Sequence, residues 1–185
     1  PTLKATLFRR NAIESLMKQL LGEDVILYKE KINVKSPGGG GYVPHQDIYN
    51  EKERDVDGVI MIAVDEATLV NGCMQFCGNG EHKKGVLGKD ANGKILPEIY
   101  KNYSWEPVEC KAGDIVVFDN YVPHYSEPNA SNGLRRAIFL AFRRASTKGF
   151  TREEYYEHKR KVNPPEKPNA DINNLRPSCS IMYKE

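Results

Sequence analysis

No stretch of the 185-residue chain approaches the roughly 20 consecutive apolar residues that a membrane-crossing helix needs. The apolar run Ala137 to Phe142, which no other run exceeds, has the length of a buried strand. No Cys-x-x-Cys pair occurs among Cys73, Cys77, Cys110 and Cys179, which excludes zinc-finger and dithiol-redox spacings. Reduced thiols in a cytoplasmic protein are the expectation. Neither sign of charge dominates: 27 Lys and Arg stand against 25 Asp and Glu, a net charge of +2, with no basic stripe interleaved with aromatics. That argues against a nucleic-acid partner. The glycines at 38–41 are not followed by the Gly-Lys-Ser/Thr of a phosphate-binding loop, so they read as a turn. No signal peptide precedes the sequons at Asn102 and Asn129, which read as chance matches. The chain opens at Pro1 without an initiator Met, so a targeting signal upstream is left open.

What is present fits one domain, at roughly 150 residues per domain, with a core large enough to need no disulfides. Residues 9–21 carry Ala12, Ile13, Leu16, Met17, Leu20 and Leu21 at helical spacing and stop at Gly22. Thereafter the texture is β-rich. Strands are expected over 25–34, 42–48, 58–63, 73–76, 105–110, 115–119 and 135–142, with a loop-like stretch from 85 to 102. A second, charged helix begins at Thr151, with Glu154 completing a capping box, and is expected on the outside of a sheet. The expectation is one domain over residues 1–162 and an extended, proline-bearing tail over 163–185. The class is mainly β with flanking helices, the sandwich or jelly-roll pattern whose open end holds small ligands.

The chemistry gathers in two places. In the extended segment Pro44-His45-Gln46-Asp47, side chains two apart share a direction, so His45 and Asp47 face one point. The second place is Pro123-His124-Tyr125-Ser126, 79 residues after His45, with Arg135 a further 11 residues on. Two imidazoles and one carboxylate make a facial triad suited to non-haem iron(II), with positions left open for a co-substrate and O2. An arginine nearby suits a co-substrate carboxylate, and Ser126 adds a hydroxyl on the face of His124. Arg136 is the alternative clasp, since alternation lets only one of the two arginines face inward.

The set His45-Gln46-Asp47, Asn71-Gly72-Cys73-Met74, Gly113-Asp114 to Phe118, His124 with Ser126, and Arg135 resembles the phytanoyl-CoA dioxygenase family over roughly residues 25–145. The resemblance implies a double-stranded β-helix (jelly-roll, cupin-like) and an Fe(II)- and 2-oxoglutarate-dependent dioxygenase. It implies that His45, Asp47 and His124 bind iron and are catalytic, and that Arg135 and Ser126 bind 2-oxoglutarate. The segment Lys31-Ile32-Asn33-Val34-Lys35 is similar to the co-substrate strand of ectoine hydroxylase and its relatives. That likeness carries a co-substrate role to Asn33 and, on the same face, to Lys29. The carboxylate of Asp47 implies hydroxylation rather than halogenation. Two departures stand out. Only 44 residues precede His45, so the chain is read either as a fragment or as having an open pocket. The Pro-Gly-Ser-His that relatives often carry after Asn-Gly-Cys-Met is replaced by residues 77–82.

Around the mouth, Tyr42, Gln46, Met74, Gln75, Trp105 and Tyr121 are candidate substrate contacts. His82, Lys83 and Lys84 read as loop residues, with the two lysines able to meet an anion, and His158 reads as solvated. The expected reaction is hydroxylation of a C–H bond of a small polar or anionic metabolite, with release of succinate and CO2. The alternatives are an acyl-CoA hydroxylase, a zinc- or manganese-binding jelly roll without O2 chemistry, and a non-catalytic binding protein on the same fold.

Overall fold

The structure is a computed structural model that describes residues 12–48, 56–149, 151–162 and 180–181. The beginning of the first expected helix, most of the tail and Cys179 fall outside the described residues. Chain order is α1 (Ala12–Leu21), β1 (Val25–Lys35), β2 (Tyr42–His45), β3 (Gly58–Ala63), β4 (Met74–Cys77) and a 3-10 turn (Glu81–Lys84). It continues with α2 (Pro97–Tyr100), β5 (Trp105–Val108), β6 (Ile115–Asp119), β7 (His124–Ser126), β8 (Arg135–Arg144), α3 (Arg152–Val162) and β9 (Ser180–Ile181).

The strands form a five-stranded sheet in the order β6-β3-β8-β1-β9 and a four-stranded sheet in the order β2-β7-β4-β5. Every strand pair is antiparallel. This is the two-layered arrangement expected for a jelly roll. The central strands β3 and β8 read as continuous apolar runs because both faces are covered. Val59, Met61, Ala63, Ala137, Phe139 and Ala141 point between the sheets and pack with Met74 and Phe118. Ile60, Ile62, Ile138, Leu140 and Phe142 point outward and pack under Ile13 and Met17 of α1. The helical spacing of the apolar residues of α1 thus matches the outer face of the larger sheet.

The capping box of α3 forms as expected: Thr151 N donates to Glu154 Oε2 at 2.7 Å and Glu154 N donates to Thr151 Oγ1 at 3.2 Å. The helix packs against β1. Tyr155 stacks at 4.9 Å on Tyr28, a member of the inter-sheet cluster, and Arg152 grips Glu30 of β1. A register shift between Leu27 and Lys29 turns Tyr28 inward, and Tyr155 of α3 packs on it. Three short elements were not anticipated: β7, the 3-10 turn and α2 inside the stretch expected to be loop. Residues 180–181 of the expected tail also pair with Ile32 and Asn33 of β1.

The sequon at Asn129 is structural. Its side chain is fully buried; its amide donates to Lys35 O at 2.9 Å and Gly133 O at 2.8 Å, and its oxygen accepts from Ser131 N and Oγ. Its backbone bonds both Gly38 and Gly39, which ties the glycine turn to the β7–β8 connection.

Candidate active site

His45 ends β2 and His124 begins β7, and the two are direct antiparallel partners, with ring centroids 4.3 Å apart. Asp47 follows His45 by two residues and returns to the same side. Ligand atoms of His45, Asp47 and His124 all lie within 4.8 Å of one another. Each imidazole is held by a carbonyl two residues earlier: Nδ1 of His45 lies 2.8 Å from Val43 O, and Nδ1 of His124 lies 3.0 Å from Val122 O. A carbonyl accepts only, so each Nδ1 carries the proton and each Nε2 keeps its lone pair for a metal. Phe76 and Phe118 flank the His124 ring at 5.8 and 5.1 Å.

Burial pushes the His45 imidazole down to about 3, with the neighbouring His124 acting in the same direction against the opposing pull of Asp47. Burial likewise lowers His124. Both rings are therefore neutral at neutral pH, the form that ligates. Burial alone would raise the Asp47 carboxyl; His124, Lys31, Lys29 and His45 together hold it below the usual carboxylate range. The centre offers two neutral nitrogens and one carboxylate.

These ligands open onto a solvent-open cleft lined also by Lys31, Asn33, Tyr42, Met74, Tyr125, Ser126, Arg135 and Phe139. The β1–β8 register explains the lining. Lys31, Asn33 and Lys35 stand opposite Phe139, Ala137 and Arg135, and alternation turns all six toward the space between the sheets. Arg135 is 4% exposed, and its Nε is buried without a hydrogen-bond partner among the described residues. The two arginines point opposite ways. Arg136 faces outward in a bidentate pair with Asp65, Nε at 2.8 Å and Nη2 at 2.7 Å.

Lys35 was not foreseen. It is 2% exposed, directly opposite Arg135, and its Nζ donates to Ser126 Oγ at 2.8 Å and to the carbonyls of Glu127 and Gly72. Burial and then the adjacent guanidinium push its ammonium down to about 8. Two buried cations side by side repel each other and attract an anion. Gly72, with φ near 76°, makes room for this: a Cβ there would sit 2.2 Å from Glu127 O and 2.8 Å from Lys35 Nζ. Asn33 was singled out by the resemblance of residues 31–35 to a co-substrate strand; two-residue alternation places Lys31 and Lys35 on the same face as Asn33, so a signal for both was present.

The other expected residues divide. Tyr42, Met74 and Asn33 line the cleft, and the buried Oδ1 of Asn33 has no partner among the described residues. Lys29 faces the same side but is outside the lining; its charge still acts on Asp47. Gln46 requires correction as a substrate contact. Its amide donates to Gly85 O at 2.9 Å and Tyr121 O at 2.6 Å and accepts from Leu87 N at 3.0 Å, so it pegs the 85–87 loop. Trp105 also stands back from the cleft, edge-on at 4.8 Å to Tyr125, which does line it. Gln75 and Tyr121 are outside the lining, as are His82 and the exposed Lys83 and Lys84 on the 3-10 turn.

Comparison with known proteins gives a consistent picture. The family model described as phytanoyl-CoA dioxygenase matches residues 1–137. The chain is 36% identical over 156 residues to a 2-aminoethylphosphonate dioxygenase from the uncultured bacterium HF130_AEPn_1, covering 83% of this chain and 59% of that protein. It is 45% identical over 144 residues to a methylphosphonate hydroxylase from Gimesia maris, covering 77% of this chain and 54% of that protein. The chain thus spans little more than half the length of these relatives. Among solved structures it resembles EvdO2 from Micromonospora carbonacea var. aurantiaca complexed with 2-oxoglutarate. That match has a TM-score of 0.59 and 25% identity, over 77% of this chain and 63% of that one. The two opposed sheets are those of a double-stranded β-helix.

Proposed function

The chain belongs to the phytanoyl-CoA dioxygenase family, and on that premise we propose that it is an Fe(II)- and 2-oxoglutarate-dependent dioxygenase. Its reaction is hydroxylation of a C–H bond in a small anionic metabolite, with a short-chain organophosphonate as the favoured substrate class. One observation carries the reading: a His-Asp-His donor set within 4.8 Å opens into the cleft that also holds the buried, unpartnered Nε of Arg135. The donors fit iron(II), since both imidazoles are neutral with Nε2 free and the carboxylate is charged. A zinc or manganese site without O2 chemistry has no use for a buried guanidinium beside it.

When bound, iron(II) with 2-oxoglutarate and O2 supplies the oxidising chemistry, yielding succinate, CO2 and the hydroxylated product. The protein's part is placement. Val43 O and Val122 O fix the imidazole tautomers. Arg135 holds the far carboxylate of 2-oxoglutarate, with Ser126 and Lys35 beside it and the Asn33 carboxamide within the same lining. Phe139, Met74 and Tyr42 restrict water around the reacting carbon. The relatives named for 2-aminoethylphosphonate and methylphosphonate support the phosphonate class. The free thiols of Cys73, Cys77 and Cys110 fit a reducing, cytoplasmic compartment.

The test is succinate release from 2-oxoglutarate by iron(II)-loaded protein in air with methylphosphonate or 2-aminoethylphosphonate. Release by the wild type and its abolition in Asp47→Ala are expected. Equal turnover by the variant would remove the assignment.

A further inference from the structure

With iron and 2-oxoglutarate assigned as above, the charges of the cleft leave one cation over. Asp47 and the metal face each other, and the near carboxylate of 2-oxoglutarate is the metal's. The far carboxylate belongs to Arg135, with Lys35 tied to Ser126, Gly72 and Glu127 beside it. Lys31 lines the same cleft, four residues before Lys35 on the same strand face. Its Nζ lies over the Phe139 ring, 5.0 Å from the centroid. Among the described residues it has neither a salt bridge nor a hydrogen bond to an acceptor. A lysine stem laid along an aromatic face with its ammonium directed into a cleft is an anion receptor with an apolar wall. Lys29, Lys94 and Lys159 lie near enough to act on Lys31, and Asp47 is the anionic group that faces it.

We infer that Lys31 is the specificity residue that holds the phosphonate oxyanion of the substrate, with Phe139 beneath its ammonium, so that the short alkyl group is directed at the metal centre. This rests on the dioxygenase reading of the same site. It separates Lys31 from Lys35, whose ammonium protein oxygens hold, and from Arg135, whose guanidinium the proposed function already assigns to the far carboxylate; no protein oxygen holds Lys31 among the described residues. The arrangement fits a tetrahedral dianion on a short chain: a single ammonium is a compact point charge that accepts any oxyanion orientation.

The experiment is calorimetric titration of the full chain loaded with manganese(II), first with 2-oxoglutarate and then with methylphosphonate. The proteins are the wild type, Lys31→Met and Lys31→Arg. The expected result is that Lys31→Met weakens methylphosphonate at least about tenfold, a difference of about 1.4 kcal/mol. It should leave the 2-oxoglutarate affinity unchanged, and Lys31→Arg should restore much of the phosphonate binding. Equal methylphosphonate affinity in wild type and Lys31→Met overturns the inference. So does a parallel loss of 2-oxoglutarate affinity in that variant, which would make Lys31 a co-substrate ligand. Wild-type protein that binds 2-oxoglutarate but no methylphosphonate overturns the inference alone. Wild-type protein that binds neither removes the dioxygenase reading and the inference with it.

Discussion

Arg135 and Arg136 are neighbours in sequence and opposites in environment. With Arg135 as the proposed clasp of the co-substrate carboxylate, Arg135→Ala should cost at least about 2 kcal/mol of binding, so the 2-oxoglutarate dissociation constant should rise roughly 30-fold or more. Arg136→Ala removes a partly exposed pair with Asp65 worth about 0–1 kcal/mol and should leave that constant nearly unchanged. Titration of both variants with 2-oxoglutarate checks the contrast. Lys35 gives a pH signature. Its folded value of about 8 lies below the ordinary 10.5, so its charge fades as pH rises through 8. Affinity for the 2-oxoglutarate dianion should therefore fall above pH 8, and the step should vanish in Lys35→Met. A step of equal size in the variant would assign it to another group. At this scale the proposed metal ligands were legible from the joint order of His45-Gln46-Asp47, His124, Ser126 and Arg135 and the family resemblance it carries, since a His-x-Asp pair alone is common. Lys31 and Lys35 were written into the same two-residue alternation as Asn33, but a lysine on a strand also reads as a solvated edge. Gln46 was misread because its partners, Gly85, Tyr121 and Leu87, lie 39 to 75 residues away and have no local signature.

Helix α1 matters to the sheet more than to the chemistry. Met17 is fully buried against the outer face of β3 and β8. Met17→Ala should cost about 2–5 kcal/mol of unfolding free energy, measured by denaturant titration, while metal affinity stays unchanged because the outer layer does not reach the cleft. Loss of metal binding at native conditions would show instead that the two layers are coupled. The elements with a strong period were legible: α1 from its apolar spacing, β3 and β8 from unbroken apolar runs, and α3 from its capping box. The missed elements are short. β7 spans three residues, His124-Tyr125-Ser126, and is a strand only because β2 and β4 pair with it on either side. Helix α2 is four residues long and begins at Pro97 inside a polar stretch, where no period can develop. The inward turn of Tyr28, which decides where α3 docks, follows from a register shift set by pairing with β8 rather than by residue type.

At the scale of the whole molecule, two sheets of one antiparallel fold divide the labour. The smaller sheet supplies the histidines from adjacent strands β2 and β7, and the larger one supplies the cations from adjacent strands β1 and β8. The cleft exists where these strand pairs face each other, so neither sheet alone makes a site. Among the described residues no helix is long and apolar enough to cross a membrane. The jelly-roll architecture was foreseeable from the many short strands and the motif order. The pairing order β6-β3-β8-β1 was not, since it depends on long-range contacts that no local pattern encodes.

The central claim is that His45, Asp47 and His124, distant in sequence, act as one metal centre. Anaerobic calorimetric titration of the full chain with iron(II) in the presence of 2-oxoglutarate tests it most directly. One iron per chain in the wild type, with binding lost in His124→Ala, is the predicted result; undiminished iron binding in that variant would contradict the account.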